Sequence, residues 1–200
     1  MVPYPYQEGN ARLLESLNLL AHPEGGYYAE TVRTKESIPS EFADGAERSL
    51  ATEIYYLLTP SSAKGKMHMN KSITFHTLHQ GRALYTLVKP LPADAAEGGV
   101  PEIKQVVMGA DSSKGEVRQL LVEGGWWKAS EIPAEDLAYA SSSPSAADSI
   151  GCLISEVVVP GFDFADHCFL TSKDLEGLFK GESEAAKAAR EKLKPYVREE

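Results

Sequence analysis

The chain has 200 residues, of which 42% are apolar, and a formal charge of −9. That length and composition suit one domain with a packed core. The acidity, with 20 Lys and Arg scattered along the chain, argues against nucleic acid or anionic membrane as a partner.

The opening MVPYPYQEGN has no charged start followed by an apolar run, so it does not read as a secretion leader. No apolar stretch approaches the roughly 20 residues of a membrane helix. Two cysteines, Cys152 and Cys168, suit a reducing cytoplasmic or nuclear setting and no disulfide framework, with a single bridge left open. Leu13, Leu14, Leu17 and Leu20 recur at helical spacing, which predicts a helix over about 10–20 with Asn10 as its N-cap. Pro23 and the pair Gly25-Gly26 break it. GYYAETVRT then has the Tyr, Thr and Val of a strand, and KESIPSEFADGAER reads as a polar loop.

The middle of the chain alternates. SLATEIYYLLT sets Glu53, Tyr55 and Leu57 against Ile54, Tyr56 and Leu58. RALYTLVKP sets Ala83, Tyr85 and Leu87 against Leu84, Thr86 and Val88. EIKQVVMG, EVRQLLVEGG, WWKASEI and SIGCLISEVVVPG continue the pattern, with glycine-marked turns between them. Many short strands with regular turns predict an all-β sandwich or barrel. The stretch LAYASSSPSAADS, with a loop over residues 138–149, reads as low-complexity. A C-terminal helical extension is predicted over about 172–194, with Ser172 as a cap, after a β core over about 22–171.

Three stretches are familiar in combination: HPEGGYYAETVRT, EIYYLLT…MHMNKSITFHTLHQG, and ISEVVVPGFDFADH. Together they resemble the DUF985, or cupin-5, proteins over about residues 11 to 179, in the yeast-type eukaryotic branch. The resemblance implies a cupin jelly roll, two antiparallel sheets around a pocket, in a homodimer.

A metal-binding cupin carries HxHx(3–4)Ex6G and then PxGxxH. On that register His68 holds the first position, Asn70 the second, Thr74 the glutamate's place and Lys128 the last histidine's. One donor of four survives, and a protonated lysine repels a cation. No metal and no other cofactor is expected. His76 and His79, three residues apart, face opposite sides of a strand. His22 is read as loop geometry, and His167 as a strand end or dimer contact without chemistry.

The expected chemistry is therefore metal-free. His68 is the candidate base and Tyr85, or Tyr55, the candidate acid. Glu156 is a third catalytic candidate, a carboxylate in an apolar strand whose pKa would be raised unless it is paired. Glu30, Arg33, Tyr55, Asn70, Thr74, His76, Trp127 and Lys128 complete the expected pocket, with Arg33 or Lys128 holding an anionic group. Alternation puts Glu30 and Arg33 on opposite faces of their strand. An isomerase or epimerase on a small polar metabolite fits this set. A non-catalytic small-ligand binder fits it too, and a metal-dependent oxygenase fits it less. Asp163 and Asp166 are expected to brace the turn after Gly161.

Overall fold

The computed structural model describes residues 3–198. Helix α1 (Asn10–Ser16) leads into strands β1 (Leu20–Ala21) and β2 (Tyr27–Arg33), then the hairpin β3 (Ser37–Pro39) and β4 (Glu47–Ser49). The body follows as β5 (Thr52–Leu58), β6 (His68–Asn70), β7 (Ile73–Gly81), β8 (Ala83–Lys89), β9 (Glu102–Met108), β10 (Gln119–Val122) and β11 (Trp127–Glu131). Helices α2 (Ala134–Ala140) and α3 (Pro144–Asp148) precede β12 (Cys152–Val159) and β13 (His167–Phe169). Helices α4 (Ser172–Gly177) and α5 (Glu184–Leu193) follow.

One sheet runs β1-β2-β5-β12-β7-β10 and the other β13-β6-β11-β8-β9, with every pairing within them antiparallel. Strand β12 lies between β5 and β7, and the chain passes from β5 through β6 of the other sheet to β7, crossing between sheets as a jelly roll requires. The inward faces pack Leu58, Ala83, Tyr85, Leu87, Met108 and Ile154 into the central core. A second core holds Met67, Val88, Trp127 and Leu170 against α4 and α5. A third tucks Leu57, Leu153 and Tyr55 beneath Leu13 of α1. Both sheets are thus covered on part of their outer faces, which is why several strands are apolar on both sides.

Several local expectations change. The first helix ends at Ser16, and Gly9, not Asn10, is its N-cap. The Asn10 side chain is instead a tether, donating to Ala147 O at 3.0 Å and Ile150 O at 2.7 Å. The polar loop contains the β3–β4 hairpin. The stretch 138–149 is largely helical: Ser143 caps α3 by accepting from Ala146 N, with Pro144 at its first turn. Thr171, not Ser172, caps α4, in a reciprocal capping box with Asp174. Both cysteines are free, Cys152 buried and Cys168 exposed. No helix among the described residues is long and apolar enough to cross a membrane.

Candidate functional site

Where the apolar filling of the sheets stops, polar side chains take over. From β7, β11 and β12, His76, Lys128 and Glu156 project inward. Each belongs to a strand whose parity puts it opposite a core neighbour: Glu156 pairs across to Ile54 and to His76, and Lys128 to His68 and Leu87. The Lys128 ammonium contacts a Glu156 carboxylate oxygen and lies 3.0 Å from His76 Nε2. His76 Nδ1 lies 3.2 Å from the Leu120 carbonyl, so Nδ1 carries the proton and Nε2 accepts from Lys128. The other Glu156 oxygen is 3.2 Å from the same Nε2, and one ammonium therefore serves both acceptors. Burial drives the Glu156 pKa up, but Lys128 and His76 outweigh it and hold the carboxyl well below the usual range. Burial, with Lys128, holds His76 below an ordinary imidazole.

A second cluster is built by the turn between β1 and β2. Gly25 and Gly26 have φ +102° and +73°, and a Cβ on Gly25 would stand 2.5 Å from the Lys64 carbonyl. Only glycine permits that tight approach, and it delivers the Glu24 side chain, 12% exposed, to the interior. Glu24 Oε1 is 2.9 Å from His167 Nε2 on β13. Glu24 Oε2 is 3.2 Å from His68 Nδ1 on β6 and 3.7 Å from His22 Nδ1. The His68 and His167 rings stack with centroids 5.3 Å apart. His68 Nδ1 also lies 3.0 Å from the Lys66 carbonyl, so it is the protonated nitrogen. Burial, aided by Lys128 and opposed by Glu24, brings His68 down to about 4. His22, which accepts from the Glu24 backbone N–H at 3.2 Å, is lowered chiefly by burial. Burial raises Glu24, but His68, His167 and His22, with the more distant Lys128 ammonium, more than offset it and the carboxyl stays ionised.

A cavity of about 440 Å³ opens above both clusters, lined by Glu24, His22, His167, Tyr28, Tyr56 and Glu156 among others. Glu30, Arg33 and Asn70, three of the expected pocket residues, are also among its lining side chains. Arg33 arrives by a route that alternation missed. A bulge in β2 between Glu30 and Val32 puts Arg33 on the face of Glu30, which it grips at 3.0 and 2.8 Å. Beneath lies a void of about 10 Å³, lined by His68, His76, Tyr85, Lys128 and Ser130, with Glu24 and Glu156 shared between the two spaces. It has room for about one water. His68 and Tyr85, the expected base and acid, therefore face this void and not the large cavity. Burial raises the Tyr85 pKa well above normal.

Three expected pocket residues lie elsewhere. Tyr55 is on the outer face of β5, near His79 and under α1, and its neighbour Tyr56 takes the inward place. Trp127 is buried against the C-terminal helices. Thr74 is inward and 1% exposed, but lines neither space. Asp163 does brace its turn, accepting from Ala165 N at 2.9 Å, whereas Asp166 is engaged by Arg48 at 2.8 Å.

The usual cupin metal register does not fit this interior. Lys128 occupies the last ligand's place and its charge is bound to Glu156. A different trio has ligand-type atoms within 4.8 Å of one another: Glu24, His68 and His167. A cation seated there would require both imidazoles to surrender the protons now directed at Glu24.

Fold and interior together define a jelly-roll cupin with a polar floor. Residues 11–170 match the family described as Cupin superfamily (DUF985), and the chain belongs to it. The uncharacterized protein YML079W of Saccharomyces cerevisiae is 36% identical over 197 residues, covering 94% of this chain and 89% of its own. A hypothetical protein from Leishmania major superimposes with a TM-score of 0.75 at 27% identity, covering 96% of this chain and 99% of its own. Protein SO0799 from Shewanella oneidensis shares the fold with a TM-score of 0.71 at 19% identity, covering 97% and 100%.

The histidines give the fold a pH dependence. His68, His22 and His76 bind protons less readily folded than unfolded. The unfolded chain thus carries more protons below the unfolded imidazole value of about 6.5. Stability is complete above that pH and is lost as pH falls towards the folded values. For His68, with its folded pKa of about 4, that loss is about 3 kcal/mol. Urea denaturation at about pH 7, 5.5 and 4 should show the decline, and His68→Gln should flatten it. An unchanged slope in the variant contradicts the assignment.

Proposed function

We propose that the protein is a metal-independent cupin that binds a small polar metabolite in the cavity and shifts a proton on it, as an isomerase or epimerase does. The supporting observation is the His167–Glu24 dyad on the cavity floor. Glu24 holds His167 Nε2, so that nitrogen carries the proton and Nδ1 is the basic edge. Among the described residues Nδ1 has no hydrogen-bond partner. A carboxylate that orients an imidazole and steadies its charged form is the arrangement general-base catalysis uses. This dyad takes the role first expected of His68. Tyr28 lines the same cavity and is the matching proton donor, because the Tyr56 hydroxyl is committed to Gly25 O at 2.8 Å.

A second reading, a binder without chemistry, has one observation in its favour. Glu24 and Glu156 are held low and His68 lies at about 4, so none of these three titrates near neutrality, where proton transfer is most efficient.

The two readings separate in heavy water. A small-metabolite extract is incubated with the protein in D2O and read by mass spectrometry for deuterium fixed to carbon. The proton-transfer reading predicts label in one or a few compounds, reduced by about 10²–10⁴-fold in His167→Gln. Retention of a compound without label favours the binder, and equal labelling by the variant removes His167 from the chemistry.

The protein is further proposed to pair with a second copy of itself. Phe75 and Leu121 are cross-strand partners at the β7–β10 edge of the larger sheet, and both are over 40% exposed, at 44% and 45%. Sedimentation at micromolar concentration should show a dimer that Phe75→Glu weakens. A wild-type monomer overturns this.

A further inference from the structure

The charges lining the cavity are unequally satisfied. Glu30 is gripped by Arg33, whose Nη1 also donates to Phe162 O at 3.2 Å. Glu156 is bound to Lys128. Asp163 has Arg48 at 3.7 Å. Glu24 differs: among the described residues no Lys or Arg lies within 4.0 Å, and its oxygens meet only imidazoles. Lys128 acts on it only from beyond that distance, and a buried carboxylate without a full positive charge in contact is costly unless something supplies one. Both cations that could have held an anionic ligand, Arg33 and Lys128, are already neutralised.

Two further observations point the same way. Asn70 lines the cavity and is 8% exposed, yet its Oδ1 is fully enclosed and has no hydrogen-bond partner. Such an amide awaits a donor, and rotation can present either end to a ligand. The wall above Glu24 is aromatic. Phe162, Phe164 and Phe169 surround the His167 ring with centroids 5.6, 6.4 and 4.9 Å away, and Tyr28 and Tyr56 also line the cavity. Aromatic faces carry negative potential and attract cations. One ring already does so, since the Arg198 guanidinium lies 4.6 Å from the centre of Phe169.

We propose that the cavity takes a small organic cation, a primary or secondary ammonium on an apolar or aromatic body, with the ammonium nitrogen on Glu24 and the body against Phe162, Phe164 and Phe169. The proposal rests on the cavity being the ligand site and names the class of ligand it selects. A bare metal ion explains less, because about 440 Å³ of space and a wall of phenyl rings are what an organic ligand uses. Bound there, the ammonium donates to Glu24 Oε2 while Oε1 keeps its hold on His167. A carbon beside the nitrogen then faces the basic edge of that ring.

The test is calorimetric titration of the full chain, at about pH 7.5 after chelator treatment, with three probes of similar shape: benzylamine, benzyl alcohol and benzoate. Benzylamine is expected to bind at least tenfold more tightly than benzyl alcohol, with benzoate weakest. Glu24→Gln is expected to erase the amine's advantage while leaving the alcohol's affinity in place. Should that variant fail to fold, the ranking on the wild-type chain still decides. Equal affinity for amine and alcohol, or a preference for benzoate, overturns the proposed class but leaves the cavity as the ligand site. No binding by any probe overturns both. Untreated protein that retains one equivalent of divalent metal, lost in Glu24→Gln, assigns the missing charge to a metal and overturns the amine.

Discussion

The interior is organised around the Lys128 ammonium, which sits between Glu156 and His76 deep between the two sheets. Lys128 is 3% exposed and His76 1%. Removing such groups from water costs several kcal/mol per ion, so each is tolerable only while the others are present. The ammonium bridges two acceptors that would otherwise repel, and the Leu120 carbonyl fixes the tautomer that lets His76 accept. A lysine and a glutamate thus supply, within the chain, the positive charge and carboxylate that many cupins assemble from a metal and its ligands. The pair is neutral overall, and that neutrality leaves Glu24 as the charged group at the cavity floor.

Everything above the floor follows from how the backbone reaches it. The glycine turn before β2 brings Glu24 in from one edge of the larger sheet. Strand β13, at the end of the smaller sheet, brings His167 from the opposite side. The bulge in β2 swings Arg33 onto Glu30 and so keeps both charges at the wall and mutually satisfied. Phe162 and Phe164, in the segment just before β13, supply the apolar rim. The cavity is therefore a junction of two sheet edges and two connecting segments, where rigid strands hold side chains borne on loops.

Strand alternation made the sheets legible, because period two is a local property; Lys128 was found through the likeness to the metal-binding cupin pattern, and Glu156 as a lone carboxylate in an apolar strand. Alternation failed where both faces of a strand are covered. Tyr55 and Tyr56 look alike in sequence, and α1 buries one as the opposite sheet buries the other. Trp127 is hidden by α4 and α5 in the same way. Arg33 was misplaced because a bulge shifts parity without leaving a residue-level mark. His22 and His167 were read as loop and strand-end residues, and Glu24 was not singled out. They lie far apart in the chain and share no period, so only the tertiary fold unites them. The one available signal was that His22 and Glu24 fall within HPEGG, and His167 closes DFADH, the two long motifs that carried the family resemblance.

The central claim, that an internal ammonium occupies the place where a cupin metal would sit, is tested most directly by a zinc-edge anomalous difference map from a crystal soaked in zinc. The account predicts that Lys128 stays on Glu156 and His76, and that no anomalous peak appears among His68, His76 and Glu156. A zinc peak coordinated there, with the lysine displaced, would contradict it.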